Sequence, residues 1–163
     1  MLKVWGRRNS INVQKVMWVV AELGLEVDHI DAGMDFGVVT EPWFGDINPN
    51  RRVPAIDDEG LILWESNVII RYLASKHSLG SMMPSTIEER AQVEMWMDWQ
   101  QTTLMPSLGP LFLGLIRTRA QDRDLDVMGS AAREVETGLR VLDAHFGGKT
   151  FIMGDVFTVA DIA

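Results

Sequence analysis

Near residue 80 the apolar pattern of this chain changes character, and that change rules out most folds before any single residue is considered. Up to that point strand-like and helical stretches alternate; beyond it every apolar repeat has helical spacing. Leu2 to Trp5 reads as a short strand. From Asn12 the positions Val13, Val16, Met17 and Val20 fall on one helix face, and the pattern ends near Gly24. Val27 to Ile30 is a second strand, and 33–50 mixes Gly, Pro, Asp and aromatics without a period, as a loop does. Val53 to Ile56 and Leu61 to Trp64 flank "DDEG", a hairpin of the longer-loop type. Ser66 caps a further helix carrying Val68, Ile69 and Leu73, with Asn67 beside the cap and Gly80 past its end. The order β-α-β, loop, β-β-α predicts an α/β domain with a mixed sheet over 1–78.

A linker over 79–85 leads into an all-α region over 86–163. Ser85 and Glu88 have capping-box spacing and open a long helix whose inward stripe is Val93, Trp96, Met97, Gln100 and Leu104. Pro106 and Pro110 are expected to break or kink it, with Leu108, Leu111, Phe112 and Leu115 apolar beyond. From Asp122 another helix places Leu125, Met128, Ala132, Val135, Leu139 and Leu142 on one side, and Gly147-Gly148 ends it. In "GDVFTVADIA" Thr158 and Asp161 form a second capping box, with Phe157 and Ile162 placed as its hydrophobic staple. An isolated first turn is not stable, so the expectation is a truncated chain with further helices missing.

The 163 residues suit one large domain or two small ones, and 47% apolar with 23% charged is globular composition. A formal charge of −8 argues against nucleic acid as the main partner. The longest apolar run, Leu111 to Ile116, is far short of the ~20 residues of a membrane span. No apolar h-region precedes Arg7, so no secretory signal is expected. The absence of cysteine fits a cytoplasmic protein and excludes disulfides, thiolate metal sites and a cysteine nucleophile. His29, His77 and His145 are too scattered to propose a metal, and "WGRRNS" lacks the spacing of a phosphate-binding loop. Against this acidic background the first stretch is unusual. Lys3, Arg7, Arg8 and Lys15 precede the first carboxylate, Glu22, and Asn9, Ser10 and Asn12 sit where strand gives way to helix.

Four motifs in order resemble those of the cytosolic glutathione S-transferases, in particular bacterial, serine-type, theta- or phi-like members. "SINVQKV" resembles the stretch holding the catalytic serine, and "NPNRRVPAI" the Asn-Pro-x-x-x-Val-Pro loop whose proline is cis. "LWESNVIIRYL" resembles the Glu-Ser step at a helix start, and "FTVADI" the buried capping box of the family. "MWMDWQQTTL" is similar to the first interdomain helix of bacterial members. The resemblance covers essentially the whole chain. It implies a thioredoxin-like N-terminal domain, an all-helical C-terminal domain lacking its last quarter or so, and glutathione as co-substrate with no metal.

Glutathione carries two carboxylates, an ammonium and a thiol, and each group needs a partner. A free thiol titrates near 8.5, and helix N-termini with nearby cations lower that to ~3.5–7.5. Ser10, just before the first helix, could donate to the sulfur, with the helix dipole, Arg7 and Arg8 adding positive potential. Asn12 offers a second donor, and which of the two leads is open; on spacing alone Ser10 equally reads as a plain helix cap. Where thioredoxin has Cys-x-x-Cys this chain has "SINV", so the thiol arrives with the substrate.

The resemblance implies that Val53, before a cis Pro54, pairs with the cysteinyl backbone from an edge strand, and that Ser66 binds the α-carboxylate while Glu65 accepts from the ammonium. Arg52 would meet the glycyl carboxylate; relatives have Gly-Lys where this chain has Arg51-Arg52, which leaves the choice between them open. Asp98 would reach a neighbouring subunit's glutathione across a homodimer. A second substrate would sit between the domains against Met105, Leu108, Leu111 and Phe112, positions that more often form plain core. Arg117 or Arg119, turned inward with Arg7, would favour electrophiles bearing a carboxylate. The expected activity is glutathione transfer to a small electrophile in detoxification. The alternatives are glutathione-dependent dehalogenation or disulfide reduction, or a non-catalytic transferase-like scaffold.

Overall fold

The computed structural model describes residues 1–163, which form two compact units. One comprises Met1–Thr86 with Ile162–Ala163, the other Ile87–Asp161.

The first unit is built on four strands, β1 (Leu2–Trp5), β2 (Val27–Ile30), β3 (Ala55–Asp58) and β4 (Leu61–Trp64), in the order β2-β1-β3-β4. β1 and β2 run parallel, as the intervening helix α1 (Ile11–Glu22) requires, while β1–β3 and β3–β4 are antiparallel. α1 is rich in valine, a poor intrinsic helix former. Burial decides its state: Val13, Val16, Val19 and Val20 are all in the core, each such side chain stabilising the fold by about 1.5–3 kcal/mol. α1 packs against α3 (Ser66–His77), whose Ile69, Ile70, Leu73 and Ala74 are equally buried.

Three expectations for this unit change. The hairpin has a two-residue turn, because β3 and β4 pair as far as Asp58 opposite Leu61. Glu59 takes φ 55° and Gly60 φ 95°, the double positive φ of a tight hairpin turn, and Asp57 Oδ1 accepts from Gly60 N at 2.7 Å. The stretch 33–50 is not all loop: a 3₁₀ turn (Met34–Phe36) and a four-residue helix α2 (Phe44–Ile47) interrupt it. Phe44 explains the second of these, since it is fully buried in a cluster with Trp5, Ala32 and Ala55. Finally, β3 starts at Ala55 rather than Val53 and lies inside the sheet, not at its edge.

In the second unit α4 (Ile87–Trp99) begins after Thr86, not Ser85, so the Thr86 and Glu89 pair has the cap-to-N3 spacing. Val93, Met97 and Leu104 of the expected stripe are buried, whereas Trp96 and Gln100 are only partly so. The two prolines do not end the helical path. A π-helical stretch over Gln100–Leu104 leads into α5 (Met105–Phe112), and a second over Leu113–Arg117 follows. Both prolines thus lie within a continuous helical path, with π-helical turns on either side of α5.

α6 (Leu125–Phe146) is capped by Asp124, whose Oδ1 accepts from Val127 N at 3.0 Å, so the helix starts after Asp122. Its C-terminal Gly147 is left-handed, as the sequence suggested. Its fully buried residues are Ala131 and Gly138; of the stripe expected from sequence Met128, Val135 and Leu142 are half-buried, while Leu125, Ala132 and Leu139 are exposed. The Thr158–Asp161 capping box forms: Asp161 Oδ2 accepts from Thr158 N at 2.9 Å, and its Oδ1 accepts from Ile152 N at 2.7 Å. No helix is long and apolar enough to cross a membrane.

Candidate active site

Strand register decides which residues can meet. Trp5 at the end of β1 pairs with Ala55 at the start of β3, and Ala55 pairs with Trp64 at the end of β4. Three chain segments therefore leave the sheet side by side at one end. One runs from Trp5 through Arg7 to Ser10, one arrives through Arg52, Val53 and Pro54, and one continues into Glu65 and Ser66.

Ser10 stands at the N-cap of α1 with extended backbone angles, 8% exposed, and its hydroxyl makes no capping bond. Its backbone carbonyl starts the helix by accepting from Gln14 N at 2.9 Å. The hydroxyl thus remains available at a helix terminus whose orphan N–H groups carry positive potential. Asn12, in the first turn of α1, is exposed.

Arg7 lies over the end of β2. Its N–H donates to Ala32 O at 3.0 Å, and a Cβ added to Gly33 would lie 3.3 Å from Arg7 Nη1 and 3.5 Å from Val53 Cγ2. Gly33, with φ 87°, therefore leaves room for Arg7 and Val53 to approach the same point. Arg7 Nε is buried without a hydrogen-bond partner, an orphan donor of the kind that functional sites retain.

The Val53–Pro54 peptide is cis, as the resemblance implied. Val53 precedes β3, so its N–H and C=O lie outside the ladder; this corrects the expectation of an edge strand while leaving those groups at the same sheet end. The two arginines before it separate cleanly. Arg51 donates to Val39 O at 3.1 Å and Glu41 O at 2.8 Å, stapling the loop that carries α2. Arg52 is exposed and makes no such ties, while its carbonyl accepts from Asn48 Nδ2 at 2.9 Å.

Glu65 occupies the cap position of α3 with φ 71° and ψ 113°, a strained corner for a residue with a side chain. Its carboxylate is exposed. Ser66 opens the helix and is buried, and Asn67 behind it accepts at Oδ1 from Lys15 Nζ of α1 at 3.3 Å. Lys15 is itself buried, and that burial pushes its pKa down from 10.5 to about 8. Sequence reasoning named neither Gly33 nor Asn67 as site residues. Gly33 had one visible signal, a glycine just past a strand; Asn67 had none, because its importance lies in a contact between two helices.

The remaining expected residues belong to the helical unit. Asp98 is exposed on α4, and its carbonyl accepts from Thr102 Oγ1 at 2.8 Å. Met105, Leu108 and Leu111 are half-buried on α5, so they are not sealed core. Phe112 is 49% exposed and Arg117 lies over its ring, 5.8 Å from the centroid. Arg119 is exposed just before a 3₁₀ turn at Ala120–Asp122.

Comparison with known proteins places the chain among its relatives. Residues 1–75 match the family model described as glutathione S-transferase, N-terminal domain. The chain is 38% identical to the glutathione S-transferase GstB of Escherichia coli strain K12, over all of this chain and 79% of GstB. It is 32% identical to glutathione S-transferase 3 of Zea mays, covering 98% of this chain and 73% of that protein. Among solved structures, the theta class glutathione S-transferase of Xanthomonas axonopodis pv. citri with glutathione bound superposes with a TM-score of 0.93 at 36% identity, covering 99% of this chain and 77% of that one. A sheet end with these donors, in a chain this similar to such relatives over its full length, makes this protein a member of the glutathione S-transferase family.

Proposed function

We propose that this protein activates glutathione as a thiolate at the N-terminus of α1 and transfers it to a small electrophile. The observation that carries the reading is Ser10: it holds the cap position yet spends no hydroxyl bond on the helix. In the proposed step the thiol proton is released to solvent on binding, the sulfur lone pair forms the new C–S bond, and the leaving group departs with its electron pair. The protein contributes thiolate stabilisation and positioning rather than a nucleophile of its own.

In this reading Ser10 donates to the sulfur, with Asn12 as an auxiliary donor and Arg7 supplying positive charge. Val53 pairs with the cysteinyl backbone beside Pro54. Ser66 and the α3 N-terminus receive the α-carboxylate, Glu65 accepts from the ammonium, and Arg52 meets the glycyl carboxylate. Met105, Leu108, Leu111 and Phe112 of the helical unit are the candidate apolar surface for the electrophile, with Arg117, over the Phe112 ring, the candidate partner for a carboxylate on it. A cytoplasmic homodimer with a detoxification role, in which Asp98 reaches the partner subunit's glutathione, completes the proposal.

Calorimetric titration with glutathione, followed by the ultraviolet absorbance of the bound thiolate near neutral pH, tests it. Binding accompanied by a thiolate band supports transfer. Binding without the band removes the mechanism, and absence of binding turns the assignment toward a scaffold.

A further inference from the structure

A buried lysine is costly, and the transfer mechanism does not use Lys15. It lies in the second turn of α1, 8% exposed, and its Nζ donates to Asn67 Oδ1 at 3.3 Å; Asn67 is 3% exposed. A lysine needs only one rotamer change to reach solvent from most helix faces, so an interior placement has to be held by what it bonds to. The bond joins the two helices that carry the proposed half-sites. Ser10 caps α1 five positions before Lys15, and Ser66 immediately precedes Asn67 at the start of α3.

The corner next to this contact is strained. Glu65 holds φ 71° and ψ 113° without being glycine, and such a conformation persists only where surrounding structure over-determines it. Downstream the α3 backbone is anchored by Ile69 N, which donates to Glu65 O at 3.0 Å. Asn67 is the nearest residue with a side-chain tie to another helix, and that tie runs to Lys15.

We propose that Lys15 is a positioning residue for glutathione binding. Through Asn67 it fixes the Glu65–Ser66 corner of α3 at a set distance from Ser10 on α1, so that the carboxylate and sulfur ends of one tripeptide are met together. The inference rests on the reading of this sheet end as the glutathione site. It gives Lys15 no contact with the reacting sulfur.

The test uses Lys15→Met, Lys15→Arg and Ser66→Ala in the full chain, with glutathione as the varied substrate and a fixed electrophile. Lys15→Met removes a buried ammonium and keeps the apolar stem, a replacement that buried ionic sites tolerate without unfolding, and a thermal melt checks this. The expected result is a KM for glutathione raised about tenfold, a kcat changed by less than about twofold and an unaltered thiolate band, with Lys15→Arg recovering most of the binding. Because the clamp acts through Ser66, the double variant Lys15→Met/Ser66→Ala should bind no worse than Ser66→Ala alone. An unchanged KM in folded Lys15→Met overturns the proposal, as does strict additivity in the double variant or a loss confined to kcat. If the unaltered protein binds no glutathione, the site reading itself fails. If it binds and Lys15→Met binds equally well, the positioning role alone fails.

Discussion

Arg51 donates to the carbonyl of Glu41 at 2.8 Å, whereas Arg52, one residue on, makes no such bond. Adjacent arginines in one loop are thus held differently: Arg51 is spent on the fold, and Arg52 is left exposed for the glycyl carboxylate in the proposed reading. Arg51→Ala should lower stability by about 1 kcal/mol through its lost carbonyl contacts. Arg52→Ala should leave the melting temperature nearly unchanged while weakening glutathione binding about tenfold, the value of a lost charge-assisted bond. Parallel thermal melts and calorimetric titrations separate the two.

Ser10→Ala offers a sharp distinction between cap and donor. A working N-cap costs ~1 kcal/mol when truncated to alanine. Ser10 makes no capping bond, so the variant should lose less than about 0.5 kcal/mol of stability. The thiol of bound glutathione should nonetheless regain much of its ordinary acidity, with its titration midpoint rising by about one unit or more. A spectroscopic titration of the bound complex reads this directly, and Asn12→Ala in the same assay settles which residue is the principal donor.

Asp58 supplies an acid-sensitive contribution to the sheet domain. Burial alone would raise the pKa of this carboxyl, but hydrogen bonds from Lys76 Nζ and Tyr72 OH, both at 2.7 Å, and the charges of Lys76 and His77 outweigh it and leave it below the usual value. Because the folded value is depressed, the stabilisation is complete above the unfolded pKa and lost as pH falls through the folded one. Asp58→Asn should therefore cost about 1–3 kcal/mol at neutral pH. Urea melts at falling pH should show the gap to the unaltered protein closing below pH ~4.

Lys15 gives the opposite dependence. Its folded pKa of about 8 lies below the ordinary 10.5, so between those values the unfolded chain holds a proton that the folded chain lacks. Stability from this residue rises with pH across that window, and below it the full cost of burying the ammonium is present. Lys15→Met should be more stable than the unaltered protein near neutral pH by roughly 1–3 kcal/mol, with the advantage shrinking toward pH ~10. Denaturation curves of both proteins across the window check the sign. A gain in stability joined to a loss of glutathione affinity would mark Lys15 as a residue kept for function.

Legibility in the sequence followed the physics of each element. The strands of β1, β2 and β4 and the buried face of α1 were plain because their period is set by one neighbour, the core. The strand order was not, since an interior and an edge strand of four residues can carry the same pattern, and β3 was misplaced for that reason. α2 escaped notice because four residues are too few to show a period, although Phe44 is among the most deeply buried side chains. α6 misled in another way. A Cβ added to Gly138 would lie 3.0 Å from Leu104 Cδ1, so the centre of the inward face is held by the small Ala131 and Gly138, and a search for bulky apolar residues finds only its flanks, Met128, Val135 and Leu142. At the candidate site, residue types and their chain order are readable, while the loop contacts that occupy Arg51 and the Lys15–Asn67 contact need three dimensions.

The pairing of Ala55 with Trp5 on one side and Trp64 on the other has a consequence for how such a protein can diversify. A strand bonded along both margins cannot creep by a residue without turning every one of its side chains to the wrong surface in two ladders at once. The points at which these loops leave the sheet are therefore fixed by main-chain geometry. Exchanging side chains beyond those points changes what the loops can hold but not where they start, as on a rack whose pegs never shift.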